Sequence, residues 1–546
     1  MNLNIGILIR EFGDLSNWQL RIIQAILNEP RLELTLVIQE AKNQKGIKRN
    51  SFSRAFSKIS LSQIVLSLQI SIEKKVFFKE VYSVDKESLI HNLQLLPKIK
   101  LGQRNMTRPD VLGPKTMELI QEQDLDLLIN LGFHHLPLDL IKLAKNGIWD
   151  FLYADFSSVQ QGPVGFSEVL YKKPSIGFTL LKRTADMQVE IVDHAFFNRA
   201  WSMVETARTA QEGSVSVLLK NLKQLQKGHR LDVNSLVVPK SKRPGLYQAL
   251  KYITQFYMHL SGKIFQKVAH RFWGQRHECW SIFMGKGFFM ESSLSNIKPL
   301  EMPKDEFWAD PFLFKYRETD YVFFENYSYK SKRGKISCGK VRDQELIELI
   351  DVLDFDYHLS FPFIFEEDGE IFLMPETSEN KRLEIYRAVD FPTKWELFTT
   401  AFEGEMLADA FFFEDPQNQK WLFVNKQAAE TSPMNSELYI YKIGSIKLEN
   451  LQPHAQNPVI IDARVARNAG SIFEYKNEFY RPSQRNTDGI YGRALNINRI
   501  EKLTLDEYKE ENIRICEPDF DKNLVAMHHL HQTNDLYVFD AAYSTK

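Results

Sequence analysis

Acidic side chains stand at matching places in a phrase that recurs in the second half of the chain. Asp310 in WADPFLF and Asp409 in LADAFFF hold one position, and Glu325 and Glu376 follow at a second matching position. Glycosyl chemistry needs a carboxylic acid to protonate the leaving oxygen and a carboxylate to activate water or attack the anomeric carbon. We therefore predict Asp310 as base or nucleophile, Glu376 as acid, and Asp409 as the group that orients the sugar or tunes a pKa. The alternative is a turn-starting Asp310 before proline and a solvated Glu376.

Other residues of this half are suited to contact with a sugar. An indole offers a flat apolar face for stacking, and polar side chains at strand ends can hydrogen-bond hydroxyl groups. A plain packing role stays open as the alternative. The residues we expect to contact substrate are Trp308, Glu325, His358, Gln484 and His529.

Four arginines crowd the fourth copy of the phrase and the turn after it. A guanidinium group binds a phosphate or a carboxylate through two parallel hydrogen bonds. The sequence thus predicts an anion-binding surface, suited to a phosphate or a uronic acid, built from Arg464, Arg467, Arg481 and Arg493.

Three histidines, His528, His529 and His531, lie close together near the C-terminus. Neighbouring residues of a strand point to opposite faces, so at most His529 and His531 could share an ion, and no acidic third ligand lies nearby in the sequence. We therefore predict no metal site.

The chain has three cysteines without ligand spacing, which indicates a reducing compartment.

The elements that must position these residues follow from the repeat. Each copy of the phrase is followed by a short polar stretch and a second apolar run, at a spacing of about 50 to 60 residues. Such units are typical of propeller blades, whose inner strands aim equivalent positions at one central cavity. The second half is therefore predicted to be an all-β five-bladed β-propeller. The copies are WADPFLF from Trp308, LSFPFIF from Leu359, LADAFFF from Leu407, RNAGSIF from Arg467 and VAMHHLH from Val525.

The first half follows a different pattern. Leu3 to Ile9 is a continuous apolar strand, Ser16 and Gln19 form a capping box that opens a helix, and Leu32 to Ile38 is the next strand. Later segments predict strands at 125–131 and 148–156 with a helix at 138–145. This order is typical of an α/β doubly wound domain. No glycine-rich phosphate fingerprint follows the first strand, so dinucleotide binding has little support.

Length and charge bound the organisation and the partners. A chain of 546 residues exceeds one hydrophobic core. We predict an α/β domain at 1–210, a basic helical connector at 211–275 and the propeller at 276–546. The formal net charge of −1 argues against nucleic acid as a partner. No signal segment or long apolar run is evident, so we expect a cytoplasmic protein.

The connector carries an amphipathic basic helix. Its apolar stripe runs from Leu246 to Val268, with lysines elsewhere on the helix. We expect the stripe to pack on one of the domains, as most amphipathic helices do. The alternative is contact of 240–273 with an anionic membrane surface, which would place the protein at the inner face of the membrane. A second basic patch at 42–58 favours this alternative.

The first 210 residues resemble the formyltransferase fold of methionyl-tRNA and sugar-nucleotide N-formyltransferases. LINLGFHHLP, NGIWDFLYADF and QGPVGFSEVLYKKPSIGFTLL carry the resemblance. In that family an Asn, a His two residues later and a later Asp act on the amine and the formyl donor. Asp150, Leu152 and Asp186 stand at the matching positions, and a leucine cannot exchange a proton. The resemblance thus implies a degenerate site, with formyl-tetrahydrofolate not expected as cofactor.

The second half resembles the propeller in the N-terminal region of plant glucosamine inositolphosphorylceramide transferases. FWADPF, HLSFPF, MPETS, NPVIIDARVARNAG, FYRPSQ and YGRAL carry this resemblance. More remotely, it is similar to the arabinanase and invertase type of glycoside hydrolase. The resemblance implies an enzyme of surface-glycan or glycolipid biosynthesis that acts on a glycan or a nucleotide-sugar donor, by glycosyl transfer or hydrolysis. An N-formyltransferase for a nucleotide-linked amino sugar and a non-catalytic glycan-binding protein remain as alternatives.

Overall fold

The computed structural model divides the chain into two compact units. The first comprises Met1–His259 with Ala429–Ser432, and the second Leu260–Ala428 with Pro433–Lys546. The structure describes residues 2–40, 60–101, 106–108, 111–133, 136–155, 161–184, 186, 188–228, 234–235, 242–273, 278–533 and 535–544. The basic patch at 42–58 lies outside these residues.

The first unit is built on one mixed eight-stranded sheet. Strands β1, β2, β3, β6 and β7 pair in parallel, and the strand order reverses direction between β1 and β6, as in a doubly wound sheet. Strand β8 is antiparallel to β7, and β9 is antiparallel to β8. The prediction of an α/β half is thus confirmed. In sheet order the strands are β10 (Asn234–Ser235), β9 (Val189–Asn198), β8 (Ser175–Arg183), β7 (Ile148–Leu152), β6 (Leu127–Asn130), β1 (Leu3–Ile9), β2 (Leu32–Glu40) and β3 (Lys98–Leu101).

Among the described residues, eight α-helices and a short hairpin accompany this sheet. The capping box is present, since the Ser16 amide donates to Gln19 Oε1 at 2.7 Å and helix α1 begins at Asn17. The hairpin pairs β4 (Met106–Arg108) with β5 (Val111–Leu112). The helices are α1 (Asn17–Asn28), α2 (Leu61–Ile72), α3 (Lys86–Leu95), α4 (Pro114–Gln121), α5 (Leu138–Ile141), α6 (Phe166–Leu170), α7 (Met203–Gln226) and α8 (Leu246–Trp273).

The expected connector has a different structure. Helix α7 covers much of it and packs on β8 and β9, with Val215, Leu218 and Leu222 fully or almost fully buried. The early part of the expected connector therefore belongs to the α/β unit, beyond the expected limit at residue 210. Helix α8 likewise buries Ala249, Tyr252 and Phe256. Within the described residues, no helix is long and apolar enough to cross a membrane.

The second unit consists of five antiparallel sheets, which confirms the five-bladed propeller. The last sheet combines β11, from the start of the unit, with β29 and β30 from its end, a pairing that closes the ring. The first two blades are β12 (Glu306–Tyr316), β13 (Thr319–Ser328), β14 (Arg333–Arg342) and β15 (Glu345–Leu353), and then β16 (Ser360–Glu367), β17 (Glu370–Glu376), β18 (Leu383–Asp390) and β19 (Lys394–Ala401). The third and fourth blades are β20 (Leu407–Glu414), β21 (Lys420–Lys426), β22 (Glu437–Ile443) and β23 (Leu451–Pro453) with β24 (Ile460–Ile461), and then β25 (Phe473–Tyr475), β26 (Glu478–Arg485), β27 (Ala494–Leu503) and β28 (Tyr508–Cys516). The fifth blade is β11 (Glu278–Lys286), β30 (Leu536–Ser544) and β29 (Leu524–Gln532).

Candidate functional site

The recurring phrase forms a β-bulge at the same place in three successive blades. Register shifts separate Ala309 from Phe312, Ser360 from Phe363 and Ala408 from Phe411. The bulged residues Asp310, Phe361 and Asp409 have φ angles of 50°, 44° and 50°. A bulge redirects a side chain away from the alternation of its strand. The first matching position of the recurring phrase, which holds Asp310 and Asp409, therefore lies at the bulge.

Asp310 lies in a buried network with the fifth blade. Its amide donates to Asp540 Oδ2 at 2.9 Å, and its own Oδ2 accepts from the Phe361 amide at 3.2 Å. His528 links the two carboxylates, with Nδ1 2.7 Å from Asp540 Oδ1 and Nε2 3.7 Å from Asp310 Oδ1. His529 Nδ1 lies 3.5 Å from the same Asp310 oxygen. Asp540 thus holds the backbone and imidazole around Asp310.

This network favours the ionised form of Asp310. Burial raises the pKa of the Asp310 carboxyl, but the positive charge of His528 and the contact with His529 outweigh burial and bring the pKa to about 2. Burial also lowers the pKa of His528, whereas Asp540 and Asp310 raise it, with a net shift upward. Asp310 is therefore a buried carboxylate at neutral pH, as a base or nucleophile requires.

Glu325 has the opposite electrostatic state. Burial, followed by repulsion from the carboxylates of Asp310, Glu376 and the neighbouring acidic groups, raises its pKa well above the usual value. His358 Nε2 lies 3.4 Å from Glu325 Oε1, and His358 Nδ1 accepts from the Gly334 amide at 3.0 Å. Because Nδ1 accepts, the proton of neutral His358 is assigned to Nε2, facing Glu325. Glu325 thus keeps its proton where Asp310 does not.

Asp409 and Glu376 share one arginine. Arg467 Nε lies 2.7 Å from Asp409 Oδ2, and Arg467 Nη2 lies 3.5 Å from Glu376 Oε2. Gln484 Nε2 donates to Asp409 Oδ2 at 3.3 Å and also to Tyr491 Oη at 3.2 Å. Burial raises the pKa of Asp409 to about 7, although Arg467 opposes the shift. The structure thus places Asp310, Glu325, Glu376 and Asp409 in one electrostatically coupled centre.

Two aromatic residues at this centre carry no signal in the repeat. The Tyr491 ring faces the Arg467 guanidinium at 5.1 Å and the edge of His528 at 5.4 Å, and it remains partly exposed. Trp280 stacks on His528 at 3.9 Å. Tyr491 therefore offers the exposed apolar face that we expected from Trp308. Trp308 itself is 2% exposed and packs on Phe324, so its ring has no face open to a sugar.

The second matching position, which holds Glu325 and Glu376, is paired in the same way in three blades. Glu325, Glu376 and Asn425 pair with Ala309, Ser360 and Ala408, respectively. In the fourth blade Asn468 pairs with Ser483, one residue before Gln484. In the fifth blade Ala526 pairs with Ala542, so Ala542 holds the second matching position and Asp540 lies two residues before it. The register shift recurs in this blade between Ala526 and His529, so that His528 lies in the bulge and Asp540 pairs with His529 directly after it.

The four arginines do not form a shared anion site. Arg481 is fully buried and pairs with Glu510 at 2.6 Å, Arg464 pairs with Asp462 at 2.7 Å, and Arg493 pairs with Glu517 at 2.8 Å. Only Arg467 reaches the acidic centre. Each of the four guanidinium groups thus has an acidic partner, and the expectation that all four contact substrate stays a prediction.

One group of side chains has the spacing of a metal site. Potential ligand atoms of Asp310, His528 and Asp540 lie within 4.8 Å of one another. From the sequence, His529 and His531 were the pair that could share an ion. His531 Nδ1 accepts from the Leu313 amide at 3.1 Å, and burial lowers the His531 pKa to about 3. The His528 ring is already hydrogen-bonded to Asp540, so an ion at this place would have to displace that contact.

Among the described residues of the α/β unit, the positions that match the formyltransferase family do not form a catalytic centre. Asp150 forms an ion pair with Arg183 at 2.7 Å and accepts from Asn130 Nδ2 at 3.1 Å, while Leu152 ends strand β7. Asp186 is exposed and hydrogen-bonded to Thr184. A cavity of about 250 Å³ in this unit is lined by other residues, among them Trp18, Phe78, Pro163, Val204, Arg208 and Glu212.

Fold and site together define a five-bladed β-propeller with a buried carboxylate centre. Residues 294–536 match a family described as glucosamine inositolphosphorylceramide transferase 1, N-terminal. Glucosamine inositolphosphorylceramide transferase 1 of Oryza sativa subsp. japonica is 34% identical over 213 residues, which are 38% of this chain and 28% of that protein. The protein of the same name from Arabidopsis thaliana is 34% identical over 211 residues, covering 38% and 27%. The matched segment thus spans little more than a quarter of these relatives.

Solved structures similar to this chain include glycoside hydrolases. A thermostable family-43 glycoside hydrolase matches 43% of this chain and 88% of its own, with a TM-score of 0.33 and 12% identity. The catalytic domain of the GH62 α-L-arabinofuranosidase of Coprinopsis cinerea matches 48% of this chain and 97% of its own, with a TM-score of 0.33 and 10% identity.

Proposed function

We propose that the propeller centre catalyses reaction at a glycosidic bond, as part of surface-glycan or glycolipid biosynthesis. The observation that supports this most directly is the pairing of an ionised Asp310 with a protonated Glu325 in one buried cluster. Two carboxyl groups whose surroundings separate their pKa values have the states that an acid and a base need.

In the proposed reaction, Glu325 donates its proton to the oxygen that leaves the anomeric carbon. Asp310 removes a proton from the attacking hydroxyl group or water, or attacks the anomeric carbon itself. The bond from the anomeric carbon to the leaving oxygen breaks, and a new bond to the incoming oxygen forms. In this assignment Glu325 takes the role of acid that the sequence suggested for Glu376. Asp409, Gln484 and Arg467 would orient the sugar beside Tyr491.

The relatives favour transfer over hydrolysis. Their name describes transfer of glucosamine to an inositolphosphorylceramide, a phosphate-linked lipid. By analogy, we propose an amino sugar or related hexose as the transferred group, a nucleotide-sugar as donor and a glycolipid as acceptor. A panel of nucleotide sugars and aryl glycosides, with release of nucleotide or phenol as the signal, tests both transfer and hydrolysis.

On a glycoside with a poor leaving group, Glu325→Gln should lower turnover by about 10²- to 10⁴-fold, because an amide cannot protonate the leaving oxygen. The loss should shrink with an aryl glycoside whose phenol is a good leaving group, since such a phenol needs no proton. Glu376→Gln should cost less than about tenfold and show no such dependence on the leaving group. Turnover across a series of phenols measures both effects.

The exposed Glu318→Gln serves as the control for Glu325→Gln. If Glu376→Gln shows the dependence on the leaving group and Glu325→Gln does not, the acid is Glu376. Loss in neither variant would contradict glycosyl chemistry at this centre.

For the α/β unit we propose a ligand-binding role rather than formyl transfer. At the positions that match the family, Asp150 is held in an ion pair with Arg183 and Leu152 cannot exchange a proton. A melting-temperature shift with formyl-tetrahydrofolate would favour the formyltransferase alternative. A shift with a nucleotide sugar that persists in an Asp310→Asn variant would favour donor binding in this unit.

A further inference from the structure

Helix α2 of the α/β unit is reversed in polarity. Its buried side chains include Ser62 and Gln69, and the following π-helical turn, Glu73–Phe77, buries Glu73. Its exposed side chains include Leu61 at 59% and Leu68 at 63%. A surface helix ordinarily places its apolar residues inward. The inward polar groups are satisfied, since Ser62 donates to the Pro244 carbonyl and Gln69 donates to Glu73.

Helix α8 lies beside this segment and continues the exposed apolar surface. Tyr252 Oη donates to Glu73 Oε1 at 2.8 Å, and the Phe256 ring packs on Phe77 with centroids 5.6 Å apart. On the outward side of α8, Tyr247 is 76% exposed and Met258 is 67% exposed.

The charge of this surface has one sign. Up to His259, helix α8 contains no aspartate or glutamate, and the exposed Lys251 lies among its apolar residues. Helix α2 has no charged residue at all, and Lys74 and Lys75 follow it. Apolar side chains interspersed with lysines match an interface of acyl chains and anionic headgroups.

We propose that the outward face of α2 and that of α8 up to His259 form a docking surface for an anionic lipid bilayer. Exposed apolar surface of this extent marks an interaction site rather than an ordinary solvated face. The side chains would enter the headgroup boundary, while the lysines bind lipid phosphates. The proposal goes beyond the propeller chemistry and does not rest on it, because its residues lie outside the carboxylate centre.

Sedimentation of the full chain with vesicles tests the proposal. The protein should bind phosphatidylcholine vesicles that contain phosphatidylglycerol and bind pure phosphatidylcholine at least about tenfold more weakly. Leu68→Gln combined with Tyr247→Gln should reduce binding to the anionic vesicles by about tenfold or more, because both side chains lose their apolar contact. Lys251→Gln should weaken binding by up to about fivefold and reduce its salt dependence.

Leu349 and Leu397, both 48% exposed on the propeller, provide matched controls: their change to Gln should leave vesicle binding intact. All substituted positions are exposed, so the melting temperatures should stay close to wild type. Absence of wild-type binding to anionic vesicles would overturn the proposal. A dimer in solution that Leu68→Gln dissociates, without vesicle binding, would show that a second copy covers the surface and would equally overturn it.

Discussion

Replacing Asp310 by Asn is expected to lower sugar transfer or hydrolysis by about 10²- to 10⁴-fold and to leave the propeller folded. The amide cannot take a proton or attack the anomeric carbon, whereas its shape and its acceptor oxygen preserve the contact with the Phe361 amide. Asparagine also tolerates the φ angle of 50° at this bulge, as few other residues do. Turnover on the substrate panel, with a melting curve beside it, measures the effect.

Asp343→Asn is the matched control for this variant. Asp343 has a φ angle of 52° but lies exposed in the turn between β14 and β15, away from the carboxylate centre. It should keep full activity. If Asp310→Asn is as active as Asp343→Asn, Asp310 does not take part in the chemistry. If Asp310→Asn melts far below wild type, its network with Asp540 and His528 is primarily structural.

The propeller could be predicted from the sequence because each blade repeats the same pattern of apolar strand, polar turn and apolar strand. Strand alternation and the shared phrase located the inner strands of most blades. The bulges were not evident, because a single residue such as Asp310 gives no sign of a left-handed φ angle. The end of helix α5 in the first half could not be predicted either. The sequence predicted a helix to residue 145, but the helix ends at Ile141.

The candidate site could be predicted where the matching positions of the blades carry acidic residues. Glu325 and Glu376 occur as expected, but Asp540 and His528 were missed because Ala542 holds the corresponding position in the fifth blade. The choice between two glutamates as acid also depends on burial and on neighbouring charges, which only the folded chain brings together. For Arg481 the decisive fact is its partner Glu510, a residue 29 positions away.

Replacing Arg467 by Met is expected to destabilise the protein by about 3–5 kcal/mol above pH 7. Arg467 is the cation shared by Asp409 and Glu376, and its removal leaves buried carboxylates without a counter-charge. Methionine retains much of the volume and the apolar stem, so most of the loss should come from electrostatics. Urea unfolding at several pH values measures the effect.

The pH dependence identifies the electrostatic origin. The pKa of Asp409 is raised from 3.8 to about 7 in the folded protein, so its contribution to stability falls as pH rises from about 4 to about 7. Without Arg467, which lowers this pKa, the fall should continue above pH 7. The difference in unfolding free energy between wild type and Arg467→Met should therefore be small near pH 4 and largest above pH 7.

Arg464→Met is the control, because the Arg464–Asp462 pair is partly exposed and should contribute no more than about 1 kcal/mol. An equal loss in Arg467→Met at pH 4 and pH 8 would contradict the electrostatic explanation and indicate a packing defect. A loss that grows with pH would show that Arg467 is what allows several carboxyl groups to share the centre of the propeller, and hence what makes an ionised Asp310 beside a protonated Glu325 compatible with folding.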